Sequence, residues 1–186
     1  LSPFFSKVFP QVPAGHPSIT YMTMNFSANF LGLDSAATPF GLKAMESLQE
    51  LNSDKEKASD AQIMFLCLHA AGLTLIPTSI IGYRAAANAA NPADVMLPCI
   101  ITSFIGTLAA FFIVGLRQRI SFKSGLLLGV IMGIIGAIFG LLFYVGSLNL
   151  VEKNYFTGNF SGILLFSIIV LTLLFAFKNE ARFKEK

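Results

Sequence analysis

The stretch from Asn25 to Lys43 reads NFSANFLGLDSAATPFGLK: it begins like a membrane span and is then interrupted by glycine, aspartate and proline. Such a break leaves backbone N–H and C=O groups without helical partners. In hydrocarbon each of these groups needs a partner, so irregular chain is tolerated only where protein or a water-filled cavity surrounds it. This stretch therefore predicts a polar site inside a membrane.

The composition of the 186-residue chain is that of a membrane protein. Hydrophobic residues make up 54% of it, charged residues only 12%, and the mean hydropathy is +0.69. Soluble domains are about a quarter charged. Five uncharged windows are each long enough to cross ~30 Å of hydrocarbon, which takes about 20 helical residues. They run from Val8 to Leu33, Ala61 to Tyr83, Val95 to Leu116, Ser124 to Val151 and Asn154 to Phe177. The sequence predicts an all-α polytopic membrane protein with about five crossings, two of them broken or re-entrant.

Three regions are expected along the chain. Residues 1–18 combine four prolines with a short amphipathic run and predict an interfacial connector. Residues 19–120 contain both interrupted segments and predict a membrane core. Residues 121–186 predict a further pair of transmembrane helices followed by a basic cytoplasmic tail.

The first interrupted segment is expected to be helical from Ile19 to about Leu33 and to restart at Pro39. Thr38 would then be the N-cap, and Pro39 would take the first helical position, where a missing N–H costs nothing.

The second interrupted segment starts with a capping box formed by Ser59 and Gln62. Pro77 removes one helical hydrogen bond and clashes with the preceding turn, so a kink or break is expected near His69 to Leu73.

These two breaks define the candidate binding site. Helix N-termini inside a membrane favour anionic or strongly polar ligands, and facing broken helices form midplane sites in secondary transporters. The candidate substrate-binding residues are Asn25, Asn29, Gly32, Asp34, Ser35, Thr38, Pro39, Gly41, His69, Thr74, Pro77 and Thr78.

Several of these residues have a purely structural alternative. Asn25 and Asn29 lie one turn apart and are also suited to bonding across helices, and Asp34 is as suited to capping the next helix as to contacting a ligand. His69 is ionisable within a span, which makes a proton relay a functional hypothesis. A neutral imidazole that satisfies carbonyls freed by the kink is the favoured interpretation.

Lysine and arginine placement predicts the orientation. With five crossings, one side holds nine basic residues: Lys55, Lys57, Arg117, Arg119, Lys123, Lys178, Arg182, Lys184 and Lys186. Beyond residue 18, the other side has Arg84, expected to snorkel to the interface, and Lys153. We therefore expect a protein of the cell membrane with a cytoplasmic carboxy terminus and an external segment 1–18.

Glycines recur on one face of the predicted helix that follows Ser124: Gly125, Gly129, Gly133, Gly136 and Gly140. Small residues in this pattern favour close packing by another membrane helix.

Patterns typical of enzymes and of nucleic-acid binding are missing from the sequence. It has no pair of His or Cys at metal-ligand spacing, no nucleophile elbow and no phosphate-binding glycine loop. Basic and aromatic residues are not interleaved as in nucleic-acid interfaces. We expect no enzymatic activity, no cofactor and no nucleic-acid partner.

The run from Met24 to Met45 closely resembles the spore maturation protein A family, within the nucleoside-recognition or Gate domain proteins. Where that family commonly has Asn-Thr-Ser before its second proline motif, this chain has His69 to Gly72. The resemblance covers roughly Leu1 to Gly115. Further matching stretches lie at Phe9 to Pro17, Leu73 to Thr78, Arg84 to Ala86 and Asn91 to Ala93.

The resemblance implies that residues 19–120 form a gate-like core of broken helices, related to domains of nucleoside transporters. It implies membrane lipid and a spore maturation protein B-like partner, a second Gate half or a homo-oligomer as partners, with a small polar solute as ligand. A fragment of a spore maturation protein A/B fusion and a diverged single protein both fit.

Two functional hypotheses follow from the residues and the resemblance. The first is a transporter or gated-pore component for a small polar solute, nucleoside-like or anionic. The second is a non-transporting membrane scaffold in envelope or spore maturation that acts through a Gate-family partner.

Overall fold

The computed structural model describes residue 5, residues 7–120 and residues 125–183. Parts of the predicted connector and basic segments, including Lys123, Lys184 and Lys186, lie outside these residues, and the side chain of Asp34 is also not described. In the described residues the structure is helical and has no strand, so the all-α prediction is confirmed for them. The helices are α1 (Pro17–Phe30), α2 (Asp34–Leu51), α3 (Asp60–Ala70), α4 (Thr78–Ala86), a 3-10 helix (Pro92–Val95), α5 (Met96–Arg117), α6 (Gly125–Ser147) and α7 (Leu150–Phe183).

Helices α1 and α2 form an antiparallel hairpin. The Asn25 side chain of α1 donates to the Ala37 carbonyl of α2 over 2.7 Å. Further from the turn, the Tyr21 ring centroid lies 5.9 Å from Lys43 Nζ. Residues nearer the start of α1 therefore contact residues nearer the end of α2, as expected for antiparallel helices. With 14 residues, α1 is only about 21 Å long, which is shorter than the ~30 Å hydrocarbon layer.

Gly32 makes the reversal between the two helices. It has φ +69°, and its N–H donates to the Asn29 carbonyl over 2.9 Å, while the Leu33 N–H donates to the Ala28 carbonyl over 2.8 Å. This pair of bonds is a Schellman motif, which needs a left-handed residue at the position of Gly32.

The predicted restart of the helix at Pro39 is wrong. Helix α2 begins at Asp34, so Pro39 lies inside it and Thr38 does not cap it. The Ala37 N–H reaches the Leu33 carbonyl over 3.0 Å, so the helix is already formed before the proline. Losing one bond at Pro39 costs less than leaving a whole turn of chain without helical partners.

The second predicted interruption is present. Helix α3 ends at Ala70 and α4 begins at Thr78. Between them, Pro77 has φ −77° and ψ 66°, and the Thr78 N–H donates to the Ile76 carbonyl over 2.8 Å. These values define an inverse γ-turn centred on Pro77. The predicted capping box that starts α3 is also confirmed.

The amino-terminal segment lies at the same end of the molecule as the loop before α3. The Gln11 side chain donates to the Asp60 carboxylate over 3.1 Å, and Gln118, just after α5, donates to the Asp60 carbonyl over 2.7 Å. The expectation that residues 1–18 lie opposite the loop Asn52 to Asp60 is therefore wrong. It assumed that α1 and α2 run on in one direction, whereas the hairpin returns the chain to its starting end.

Aromatic and aliphatic residues of the amino-terminal segment fill the core. Phe5, Val8, Phe9 and Val12 are at most 6% exposed. The Phe5 ring lies 5.3 Å from that of Phe26 on α1. This segment therefore packs against the hairpin.

Within the described residues, two helices are long and apolar enough to cross a membrane. The helix Pro92–Arg117 has 26 residues with hydropathy 2.3, and Gly125–Ser147 has 23 residues with hydropathy 2.7. Only 11% of each apolar window is buried, whereas the core helix of a soluble protein would be mostly buried. The structure thus supports a membrane protein, and the count of five crossings stays a prediction.

Candidate functional site

The two helix breaks are in direct contact. The Thr78 hydroxyl donates to the Gly32 carbonyl over 2.5 Å, and the Leu75 N–H donates to the Phe30 carbonyl over 2.8 Å. Carbonyls at the end of a helix have no intrahelical donor. Thr78 and Leu75 of the second break supply donors to these carbonyls at the end of α1.

Gly32 is required here for space as well as for backbone conformation. A Cβ atom added at this position would lie 1.9 Å from the Ile76 carbonyl oxygen and 3.1 Å from Thr78 Oγ1. Any side chain at Gly32 would force the γ-turn away from the hairpin.

Helix α5 supports the second break from the other side. The Ser103 hydroxyl shares its hydrogen between the Thr74 carbonyl at 3.1 Å and the Ile100 carbonyl of its own helix at 3.0 Å, and it accepts from the Thr74 N–H over 3.4 Å. Thr74 in turn donates through its hydroxyl to the Ile76 carbonyl over 3.2 Å. Ser103 was not predicted, because its only signal in the sequence is a hydroxyl within an apolar span.

A cluster of two amides and an imidazole lies beside the contact between the breaks, and we call Asn25, Asn29 and His69 the amide cluster. His69 Nδ1 lies 3.0 Å from both Asn25 Oδ1 and Asn29 Nδ2. In a neutral imidazole it donates to the first or accepts from the second, depending on the tautomer. Asn25 is completely buried, and its Nδ2 donates to the Ala37 carbonyl.

The environment of His69 differs from the favoured interpretation of the sequence. Its Nδ1 faces side-chain amides of α1 and not carbonyls freed by the kink. Its ring also stacks on Phe65, with centroids 6.0 Å apart and planes at 25°. These neighbours hold a titratable group in a chain of hydrogen bonds, which suits either pairing with a polar solute or relaying a proton.

Gly41 makes room for the amide cluster on α2. A Cβ atom there would lie 3.0 Å from Asn25 Nδ2 and 3.9 Å from His69 Cε1. A larger residue at Gly41 would separate the two helices of the hairpin at the level of Asn25.

The candidate residues fall into three groups in the structure. Ser35, Thr38 and Pro39 are exposed on the face of α2 turned away from α1, and Asp34 is the first residue of α2. The amide cluster and Gly41 lie between α1, α2 and α3. The contact between the breaks unites Gly32, Thr74, Pro77 and Thr78.

Comparison with known proteins shows one stretch of clear similarity. Spore maturation protein A of Bacillus subtilis (strain 168) is 42% identical to this chain over 111 residues, which are 60% of this chain and 57% of that protein. The chain therefore spans little more than half the length of this curated relative. No family model matches the chain, and no solved structure matches it. The similarity supports the resemblance to spore maturation protein A.

Replacing Gly32 by alanine should destabilise the protein far more than the same change at Gly15. Both glycines have positive φ, at +69° and +82°, but only Gly32 has a carbonyl in the way of a Cβ. Left-handed backbone alone costs roughly 1–2 kcal/mol for a residue with a Cβ. Gly32→Ala should add about 1–3 kcal/mol for the overlap. Thermal unfolding in detergent measures both variants, and equal losses for the two would contradict the close approach.

Proposed function

We propose that this chain is a component of a membrane transporter or gated pore for a small polar solute, nucleoside-like or anionic, and that it catalyses no chemical reaction. The observation that carries the proposal is the contact between Gly32 and Thr78, where two helix breaks close on each other beside the partly buried amide cluster. Because its relative is named for spore maturation, we place the function of this chain in that process.

The proposal includes a re-entrant hairpin. Thr74 in the second break contacts Ser103 of α5, and from Ser103 to the end of α5 at Arg117 is about 21 Å of helix. The breaks then lie well inside a hydrocarbon layer ~30 Å thick. The hairpin enters and leaves at the Arg117 end, α3 and α4 together make one crossing, and α5, α6 and α7 make one each.

This topology keeps the predicted orientation of the carboxy terminus. The basic residues Lys55, Lys57, Arg117 and Arg119 lie at the open end of the hairpin, which is the cytoplasmic end by the distribution of positive charge. In this proposed topology the re-entrant hairpin takes the place of the first of the five predicted crossings, which leaves four, and residues 7–18 and the carboxy-terminal end of α7 lie on this side of the cell membrane.

Opening of the contact would expose the groups that now satisfy one another. The Gly32 and Phe30 carbonyls, the Thr78 hydroxyl and the neighbouring Asn29 amide are uncharged donors and acceptors, which suit a neutral solute such as a nucleoside. The start of α4 at this break is the feature that suits an anion, because a helix N-terminus carries partial positive charge.

A single hairpin supplies one side of such a gate. We propose that a spore maturation protein B-like partner, a second Gate half or a second copy of this chain supplies the other side, with lipid around the apolar helices. The matched stretch spans only 57% of the relative, so the transport activity is proposed for the complete assembly of this chain with its partner.

Replacing Asn29 by leucine should reduce solute uptake into liposomes by about ten-fold or more, because it removes the amide's hydrogen bonds to Asn25 Oδ1 and His69 Nδ1, at roughly 1–3 kcal/mol. The complete assembly is reconstituted and tested with nucleosides, nucleotides and organic anions. Asn159→Leu, at an exposed position of α7, is the matched control. Transport is rejected if the complete assembly takes up none of these solutes, or if uptake is unchanged by Asn29→Leu.

Replacing Thr78 by valine should make the closed state leak. Valine keeps the shape of threonine but cannot donate to the Gly32 carbonyl, and losing about 1 kcal/mol of closure raises the open fraction about five-fold. Efflux from solute-loaded liposomes measures the effect. Thr78→Ser retains the hydroxyl and should stay near the unmodified rate, so equal efflux from both variants would count against this closure.

A membrane scaffold that acts through a Gate-family partner is the second candidate function. It is favoured by the glycine face of α6, which packs on nothing in the described part of the chain. A Cβ atom would meet no atom within 4 Å at Gly125, Gly129, Gly133, Gly136 or Gly140. Faces of this kind let membrane helices approach closely.

Enlarging this face tests the scaffold. Gly129→Leu and Gly133→Leu should abolish capture of the partner from native membranes, whereas Asn29→Leu should not, since its side chain lies inside the fold. Gly146→Leu, equally open but about 100° away around the helix, is the matched control. Undiminished capture by the Gly129 and Gly133 variants would rule out this face as the scaffold surface.

A further inference from the structure

Helix α2 has two chemically different faces. The face toward α1 is buried and built mainly from small and apolar residues: Ala37, Gly41, Ala44, Ser47 and Leu48. The opposite face, which we call the outer face of α2, is exposed and mostly polar: Ser35, Thr38, Pro39, Leu42, Lys43, Glu46 and Glu50.

The outer face of α2 is unlike the exposed faces of the apolar helices. On α5 and α6 large apolar side chains are strongly exposed, with Ile113 and Phe139 each 69% exposed and Phe143 83% exposed. Helix α6 has no charged residue from Gly125 to Ser147. The outer face of α2 carries three charged side chains within 18 residues, and charged side chains facing lipid tails are strongly disfavoured.

The backbone of α2 leads to the same conclusion independently. Pro39 has no N–H, so the carbonyl of Ser35, four residues earlier, has no helical donor. Both residues are exposed on the outer face, so the carbonyl that has lost its i+4 donor belongs to a surface-exposed part of the helix. Lipid offers no donor to such a group, whereas water does.

Polar residues follow this face as a stripe from the loop toward the break, with Pro39 and Leu42 interspersed. Measured along the helix from Leu51, Lys43 is about 12 Å and Ser35 about 24 Å into the molecule. One turn beyond Ser35, the stripe ends at Gly32, whose carbonyl is bonded to Thr78. A polar surface that starts at the basic end thus stops where the two breaks close.

We propose that the outer face of α2 lines a water-filled route from the basic end of the molecule to the contact between Gly32 and Thr78. The proposal rests on the membrane placement proposed above and does not depend on transport itself. The route is a half-channel: it is open to water at the cytoplasmic end and blocked at its inner end by the contact between the breaks.

Cysteine accessibility in membrane vesicles with the cytoplasmic side outward tests this route. The native Cys67 and Cys99 are replaced by alanine, and Ser35→Cys, Thr38→Cys and Leu42→Cys are introduced one at a time in the full chain. Ile105→Cys is the matched control, because its side chain is exposed on the apolar helix α5 and it lies about 18 Å along that helix from Arg117. Ile113→Cys, exposed on the same helix about 6 Å from Arg117, is a shallower control. The probes are a charged, membrane-impermeant methanethiosulfonate and the permeant N-ethylmaleimide.

The three α2 positions should react with the charged reagent at least about ten-fold faster than the α5 positions, because the reactive thiolate forms in water and not in lipid. Failure of Ser35→Cys and Thr38→Cys to react with the charged reagent in vesicles, with N-ethylmaleimide labelling them only after detergent solubilisation, would overturn the proposal in favour of a lipid-covered face. Disulfide cross-linking of two copies through Ser35→Cys would overturn it in favour of a protein interface. Equal reaction of Ile105→Cys would show that this part of the chain lies outside the membrane and would also overturn it.

These outcomes separate the route from the proposed function. A reactive outer face in an assembly that takes up no solute would reject transport and leave the route in place. Uptake of a solute by an assembly whose outer face is unreactive would reject the route and leave transport in place.

Discussion

The fold depends on the close approach of Gly32 to the turn formed by Ile76, Pro77 and Thr78. Each break creates backbone groups that a membrane cannot satisfy, and each supplies partners for the other: Thr78 and Leu75 donate to the carbonyls at the end of α1. Gly32, with φ +69°, lies so close to the Ile76 carbonyl that a Cβ atom would be 1.9 Å from its oxygen, so only glycine fits there. Once this contact is made, α1 and α3 are held side by side, and the amides of α1 meet the imidazole of α3.

The parts of the fold that could be predicted from the sequence depend on local chemistry. The capping box of α3, the end of α3 before Pro77 and the apolar length of α5 and α6 need only neighbouring residues. The direction of α2 was not predictable in this way, because a segment that continues and one that reverses have the same hydrophobic content. Reversal is decided by the fit of Asn25 against Ala37 and Gly41, which are 12 and 16 positions away in the chain.

The candidate site shows the same limit. Asn25, Asn29 and His69 were recognisable because amides and an imidazole are rare in apolar spans. Ser103 was not, since hydroxyls in membrane helices usually bond back to their own helix, as Thr107 does to the Ser103 carbonyl and as Ser103 also does to the Ile100 carbonyl. Ser35 and Thr38 were grouped with the site because they are near it in sequence. Because α2 begins at Asp34 and not at Pro39, Ser35 and Thr38 are part of the helix, and its periodicity places both side chains on the outer face.

The hairpin of α1 and α2 is held together by side-chain packing, whereas hydrogen bonds join its turn at Gly32 to the second break. The interface between α1 and α2 is buried and closely packed, and it includes Asn25, Ala37 and Ala44. Two hydrogen bonds, from Thr78 and Leu75, join the loop around Gly32 to the second break, and each contributes a net stabilisation of only about 1 kcal/mol. Breaking these two bonds would leave the packing between α1 and α2 intact. In the proposed topology this contact closes the inner end of the polar outer face of α2, beside the amide cluster, which is where a gate between water and a polar site would lie.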